Sequence, residues 1–212
     1  MLLLLTSAFA ADVEIHPATV GGPSNCIPFG GYSSGYMGFV YQNVPAFDLY
    51  PGDTVAFDLG AVNDVPITMD LAMAAATSNG SNQPSGSFTT IVSAGVPADP
   101  DGNTTQGDYE LAYTVDAPFS FAGGGLIIRF NKQGSFASDT NCTQVLYHAQ
   151  SSDSSGYFVG RFYVDSDGVY PWTGWDGTNH IGGFEITYGY WYADSDGDGY
   201  GDASTSYQGT SP

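Results

Sequence analysis

Short runs of alternating apolar and polar residues recur along the chain, the period-two pattern of half-buried strands. Tyr36 to Tyr41 and Ala46 to Tyr50 are two such runs, joined by Gln42-Asn43-Val44-Pro45. Pro51-Gly52-Asp53 reads as a turn, because proline presets its own φ and glycine accepts the positive φ that follows. Val55, Phe57 and Leu59 then share one face of Thr54 to Leu59. Across Pro66 to Met73, Ile67, Met69, Leu71 and Met73 point inward while Thr68 and Asp70 point outward. Ala72 to Ala76 has a helix-tolerant composition, but the alternation leading into it favours strand. Polar Thr77 to Ser87 reads as a surface loop. Further strands are predicted at Phe88 to Ser93, Tyr109 to Val115, Leu126 to Phe130, Gln144 to Ala149, Tyr157 to Val164 and Gly183 to Tyr190.

Short strands punctuated by turns, with no βαβ spacing, predict an all-β fold: an antiparallel β-sandwich, jelly-roll-like in its connections. Asp12 to Ser34, rich in Gly, Pro and Ser, reads as an extended lead-in. A composition shift near Tyr188 marks the expected end of the sandwich, after which no apolar alternation is evident. The expected organisation is a leader over residues 1–10, a sandwich over 11–188 and an acidic calcium-binding segment over 189–212.

Composition changes this picture in two respects. An apolar content of 42% with 15% aromatic residues is enough for a real core. Three Lys and Arg face 22 Asp and Glu, a formal net charge of −19, which excludes nucleic acid and anionic membrane surfaces as partners. Such a chain repels itself unless cations neutralise part of it, so a divalent metal is a natural partner. A surface kept soluble by aspartate in a salty medium is the plainer reading of the charge outside the motif below.

Met1 to Ala11, MLLLLTSAFAA, is a short apolar run ending in Ala8-Phe9-Ala10, the small-x-small pattern of a secretory cleavage site. No positive residue precedes the leucines, which fits a leader cut short at its start. Nothing later in the chain is long and apolar enough to make a membrane-spanning helix. Secretion, to the medium or the cell surface, is therefore expected. Cys26 and Cys142 agree with it: in an oxidising compartment they would pair, closing a long loop and stabilising by about 4–5 kcal/mol in the chain-entropy model. Two buried free thiols are the alternative. Lacking a CxxC, they make neither a zinc site nor a redox centre.

Residues 194 to 202 read Asp-Ser-Asp-Gly-Asp-Gly-Tyr-Gly-Asp. Calcium takes six to eight hard oxygen ligands in a forgiving geometry. A short loop can supply them only by wrapping tightly, which Gly197, Gly199 and Gly201 permit. Against the calcium loop of an EF-hand, Asp194, Asp196 and Asp198 take the first, third and fifth places. Gly199 takes the turning place, Tyr200 offers its backbone carbonyl and Asp202 takes the ninth. The twelfth place, usually a bidentate glutamate, is Thr205, and no helix pattern flanks the loop, so a complete EF-hand is not expected. Magnesium demands a stricter octahedron, and copper or zinc would want His or Cys, so the expected cofactor is Ca2+. Its affinity should lie in the extracellular range, about 10⁻⁴–10⁻³ M.

Tyr190-Trp191-Tyr192-Ala193 followed by this aspartate run resembles the MopE-type metal-binding motif of secreted bacterial proteins. It is also similar to the aspartate loops of thrombospondin type 3 repeats. The resemblance covers residues 190–212 only and implies an extracellular, calcium-loaded, often repeated module; such motifs continue to a cysteine and a second Asp-rich stretch, so the segment is expected to be either the start of a longer repeat or an incomplete site.

Weaker signals lie elsewhere. Asp99, Asp101 and Asn103 space oxygen ligands in a second candidate metal site, although Asp-Gly turns look the same without metal. Trp172 and Trp175 sit among polar neighbours, either as a sugar-stacking platform or as plugs at the end of the sandwich. His16, His148 and His180 are isolated, with no nucleophile elbow or metal-ligand spacing, so no enzyme activity is expected. The sequence thus points to a secreted or cell-surface structural or adhesion protein whose calcium orders the C-terminal loop, with a matrix glycan or protein as partner. A carbohydrate-binding module using Trp172 and Trp175 is the alternative.

Overall fold

The computed structural model describes residues 13–18, 36–57, 59–61, 68–95, 111–132, 143–145, 154–164, 182–192 and 206–208. None of these is helical. The strands are β1 (Val13–Ile15), β2 (Tyr36–Val44), β3 (Phe47–Leu49), β4 (Thr54–Phe57), β5 (Leu59–Ala61), β6 (Met69–Ala75), β7 (Thr89–Gly95) and β8 (Leu111–Thr114). They continue as β9 (Phe119–Phe121), β10 (Gly124–Lys132), β11 (Thr143–Val145), β12 (Phe158–Val164), β13 (Phe184–Thr187), β14 (Tyr190–Tyr192) and β15 (Ser206–Gln208).

Two main sheets emerge, one in the order β1-β13-β4-β8 and the other β12-β2-β10-β6-β7. Three two-stranded ribbons, β11-β5, β14-β15 and β3-β9, accompany them, and every pairing is antiparallel. The protein is an all-β antiparallel sandwich. Alternation decides which side chains enter it. Val55 and Phe57, Met69, Leu71 and Met73, and Leu111, Tyr113 and Val115 all join the main core, as their period predicts. The two sheets meet through aromatic edges: Phe57 of β4 lies 5.0 Å from Phe130 of β10, and Phe184 of β13 lies 5.0 Å from Tyr41 of β2. Such edge-to-face pairs contribute about 0.5–1.5 kcal/mol beyond the area they bury. The Tyr41 hydroxyl, buried among them, donates to the Gly182 carbonyl at 2.9 Å, so its polar end is not left unsatisfied.

The five-stranded sheet also buries its other face. Val40 and Ile127 stand opposite each other in register and are both fully buried, with Phe88, Val159 and Ala76 packed on them. That is why β10 reads Leu126-Ile127-Ile128 without a polar break: a strand covered on both faces need not alternate. Arg129 lies on this second face, its guanidinium 4.5 Å from the centroid of the Phe88 ring.

Strand β7 carries two register shifts against β6, one on each side of Leu71. Ala94 takes a φ of 49° there. Two carboxylates hold the distortion in place: Asp70 accepts the Ala94 N–H at 2.7 Å and Asp116 accepts the Ser93 N–H at 2.7 Å.

Three stretches depart from expectation. Val13–Ile15, read as part of a lead-in, is the edge strand β1, with Val13 and Ile15 buried and Glu14 exposed. Phe119–Phe121 adds the unforeseen strand β9, paired with β3 so that Phe47 faces Phe121. The run Gly183 to Tyr190 divides at Tyr188-Gly189 into β13 and the start of β14. Ala72 to Ala75 stays in strand β6, and Ala76 forms a bridge with Pro84.

Candidate metal site

The aspartate segment sits between β14 and β15. Tyr190 pairs with Gln208, Trp191 with Tyr207 and Tyr192 with Ser206, so the two residues that bound the intervening stretch, Tyr192 and Ser206, stand side by side. Asp194, Asp196, Asp198, Tyr200 and Asp202 belong to that stretch and lie outside the described residues. The second ribbon strand is what the sequence reading missed. Ser206-Tyr207-Gln208 is too short and too polar to show alternation, and only its pairing with an aromatic strand marks it.

The ribbon is hydrogen-bonded to neither main sheet among the described residues. Its base, however, is fixed. Tyr188 is buried in the core, and the Gly189 N–H donates to Asp53 Oδ1 at 2.8 Å. Asp53 is itself fully buried, its other oxygen accepting the Tyr50 N–H at 2.8 Å. The turn that presents it has Pro51 second and Gly52 third, with Gly52 at a φ of 100° and the Asp53 N–H bonded back to the Tyr50 carbonyl at 3.0 Å, a type II arrangement. The backbone carbonyl of Asp53 also receives the Val115 N–H at 2.8 Å, so one residue joins the turn, the residue that follows β8 and the root of the ribbon. A buried carboxylate accepting two backbone N–H groups makes stronger bonds than a neutral acceptor would.

The other expected site residues are placed as follows. Asp99, Asp101 and Asn103 fall in the connection from β7 to β8, Trp172 and Trp175 in that from β12 to β13, and Cys26 and Cys142 before β2 and before β11; all lie outside the described residues. So do His148 and His180. His16 is described and half-exposed, its Nε2 3.4 Å from a Glu14 carboxylate oxygen. Glu14 stands directly opposite Glu185 in register, and the Thr187 hydroxyl donates to Glu185 at 3.1 Å. Among the described residues no group of three or more His, Cys, Asp or Glu is arranged to hold a metal. No helix among the described residues is long and apolar enough to cross a membrane.

Charge is distributed unevenly. The chain's three cations, Arg129, Lys132 and Arg161, all fall on β10 and β12, the two strands flanking β2. The four-stranded sheet and the ribbon β14-β15 contain no Lys or Arg.

No protein-family model matches this chain, and no significant similarity to a curated protein or to a solved structure was found.

Proposed function

We propose that the chain is a secreted or cell-surface calcium-binding protein with a structural or adhesive role, in which Ca2+ orders the aspartate loop between β14 and β15. One observation carries the reading: Asp194, Asp196 and Asp198 stand on alternate positions, followed by Asp202, in a glycine-hinged run between two strands whose pairing closes at Tyr192 and Ser206. Asp194, Asp196 and Asp198 supply carboxylate oxygens, Tyr200 its carbonyl, and Asp202 a further oxygen directly or through water. Carboxylates crowded in this way repel one another until a hard cation neutralises them, so binding and local ordering are coupled. The tie from Gly189 to Asp53 supports a mechanical role, because a segment stiffened by calcium would then project from a fixed point on the sandwich.

We also take the connections to be jelly-roll-like. In support, β1-β13-β4-β8 forms one four-stranded layer and β2-β10-β6-β7 the other, with β12 added beside β2.

The test is a calcium titration of the whole chain by calorimetry, repeated on the Asp196→Asn/Asp198→Asn double variant. Heat from the native chain and none from the variant is the expected result. Equal heats from both would sink the proposal.

A further inference from the structure

The loop between β6 and β7 contains the one Asn-Gly step in the sequence, Asn79-Gly80. It forms the centre of a tight turn: the Ser81 N–H donates to the Ser78 carbonyl at 3.0 Å, and Gly80 has a φ of 80°. Asn79 is exposed, yet its carboxamide is engaged at both ends. The oxygen accepts the Asn43 backbone N–H at 2.8 Å, and Nδ2 donates to Asn43 Oδ1. Asn43, at a φ of 56°, passes the connection on by donating its own Nδ2 to the Gly156 carbonyl at 2.9 Å. Two side chains thus join the 77–87 loop, the end of β2 and the turn before β12.

We propose that Asn79 is a site of spontaneous deamidation and that Asn43 is the positioning residue that holds the reaction in check. The Gly80 backbone nitrogen attacks Asn79 Cγ. A new C–N bond closes a five-membered succinimide, the Cγ–Nδ2 bond breaks, and ammonia leaves with the Gly80 amide proton. Water then adds to either imide carbonyl, reopening the ring as aspartate or as isoaspartate. No reagent other than water is consumed. Glycine has no Cβ to crowd the attack, and the Gly80 N–H donates to no group among the described residues. What restrains the step is the pair of hydrogen bonds to Asn43, because the carboxamide must leave both to swing its carbon over Gly80. The product carboxylate has no amide N–H in place of Nδ2, so the contact to Asn43 Oδ1 is lost and the three-part junction loosens.

The full chain would be held folded in mildly alkaline buffer, and the peptide containing Asn79 followed by mass spectrometry for replacement of NH2 by OH. Asn43→Gly keeps the positive φ while removing the side-chain partner. It should deamidate roughly five-fold faster than the native chain, the factor that one exposed hydrogen bond represents, while still melting as a folded protein. Native chain unfolded in urea sets the unrestrained rate. Equal rates in the native and Asn43→Gly proteins would overturn the restraint, and no mass change even in urea would overturn the site itself. A second variant reads the consequence independently of folding yield: Asn79→Asp should melt earlier than the native chain, whereas Asn82→Asp in the same loop should not. Identical melting of Asn79→Asp and native chain would refute the junction.

Discussion

Asp53 Oδ1 accepts the backbone N–H of Gly189 at 2.8 Å across a sequence separation of 136 residues. The geometry leaves Gly189 little room for a side chain, because a Cβ there would stand 3.2 Å from the Gly52 carbonyl oxygen, close enough that the Gly52 backbone would have to give by a few tenths of an ångström. The carboxylate therefore fixes the root of the ribbon, and the missing side chain lets the two backbones approach.

Removing that carboxylate leaves two N–H groups, those of Tyr50 and Gly189, without their acceptor. Asp53→Ala should cost about 3 kcal/mol. Asp53→Asn should cost less, because one amide oxygen can still serve one donor. Urea unfolding followed by fluorescence would read both as a lowered midpoint at constant slope.

Gly189→Ala should cost roughly 1–3 kcal/mol, since the obstructing atoms belong to the backbone and cannot rotate away. Gly86→Ala, at a position where nothing lies within 4 Å, is the matched control and should change stability little.

Ala94 presents the opposite case. It holds a φ of 49° in the β7 distortion, pinned through its N–H by Asp70. Relieving the left-handed strain with Ala94→Gly should stabilise by up to about 1 kcal/mol, after the extra freedom glycine gives the unfolded chain is subtracted. A lower unfolding midpoint than the native protein would show that the strain is absent.

Burial pushes the Tyr113 phenol well above its ordinary range. The folded state then keeps this proton where the unfolded chain would release it. Stability from this residue is complete below the unfolded value of about 10 and falls as the pH rises beyond it. Tyr113→Phe should flatten the decline of unfolding free energy in strongly alkaline solution. Parallel declines in the two proteins would remove Tyr113 as a cause.

Phe57 and Phe130 meet edge to face at 5.0 Å, one from each sheet. Either residue changed to Ala should cost about 3–5 kcal/mol. In a double-mutant cycle with Leu at each position, a coupling of about 0.5–1.5 kcal/mol is expected. Zero coupling would mean that only volume matters at the centre of the sandwich.

The strands that were legible in the sequence are those that place a large apolar side chain at every second position. Val55-Phe57, Met69-Leu71-Met73 and Leu111-Tyr113-Val115 do so, and that period alone placed them in the core, although the small Ala56, Ala72 and Ala74 next to them are themselves buried on the other face. Strand β1 was not legible, because three residues are too few to establish a period and its partner β13 lies near the far end of the chain. Strand β15 was hidden for the same reason. At the candidate metal site, aspartate spacing could be read directly, since ligand chemistry is local. Asp53 could be read only as the end of a turn: its second role depends on Gly189, and no local pattern records a partner that distant.

The pairing of β1 with β13, Val13 beside Ile186 and Ile15 beside Phe184, has a consequence for how this molecule is made. Strand β13 also supplies the contact between β1 and β4, so the four-stranded layer cannot close until Phe184–Thr187 has been synthesised. A nascent chain emerging N-terminus first must hold Val13 and Ile15 without their partner strand until β13 has followed. Such long-range closure is intrinsically slow, and β13, the last-made strand of the two main sheets, acts as the clasp of the fold.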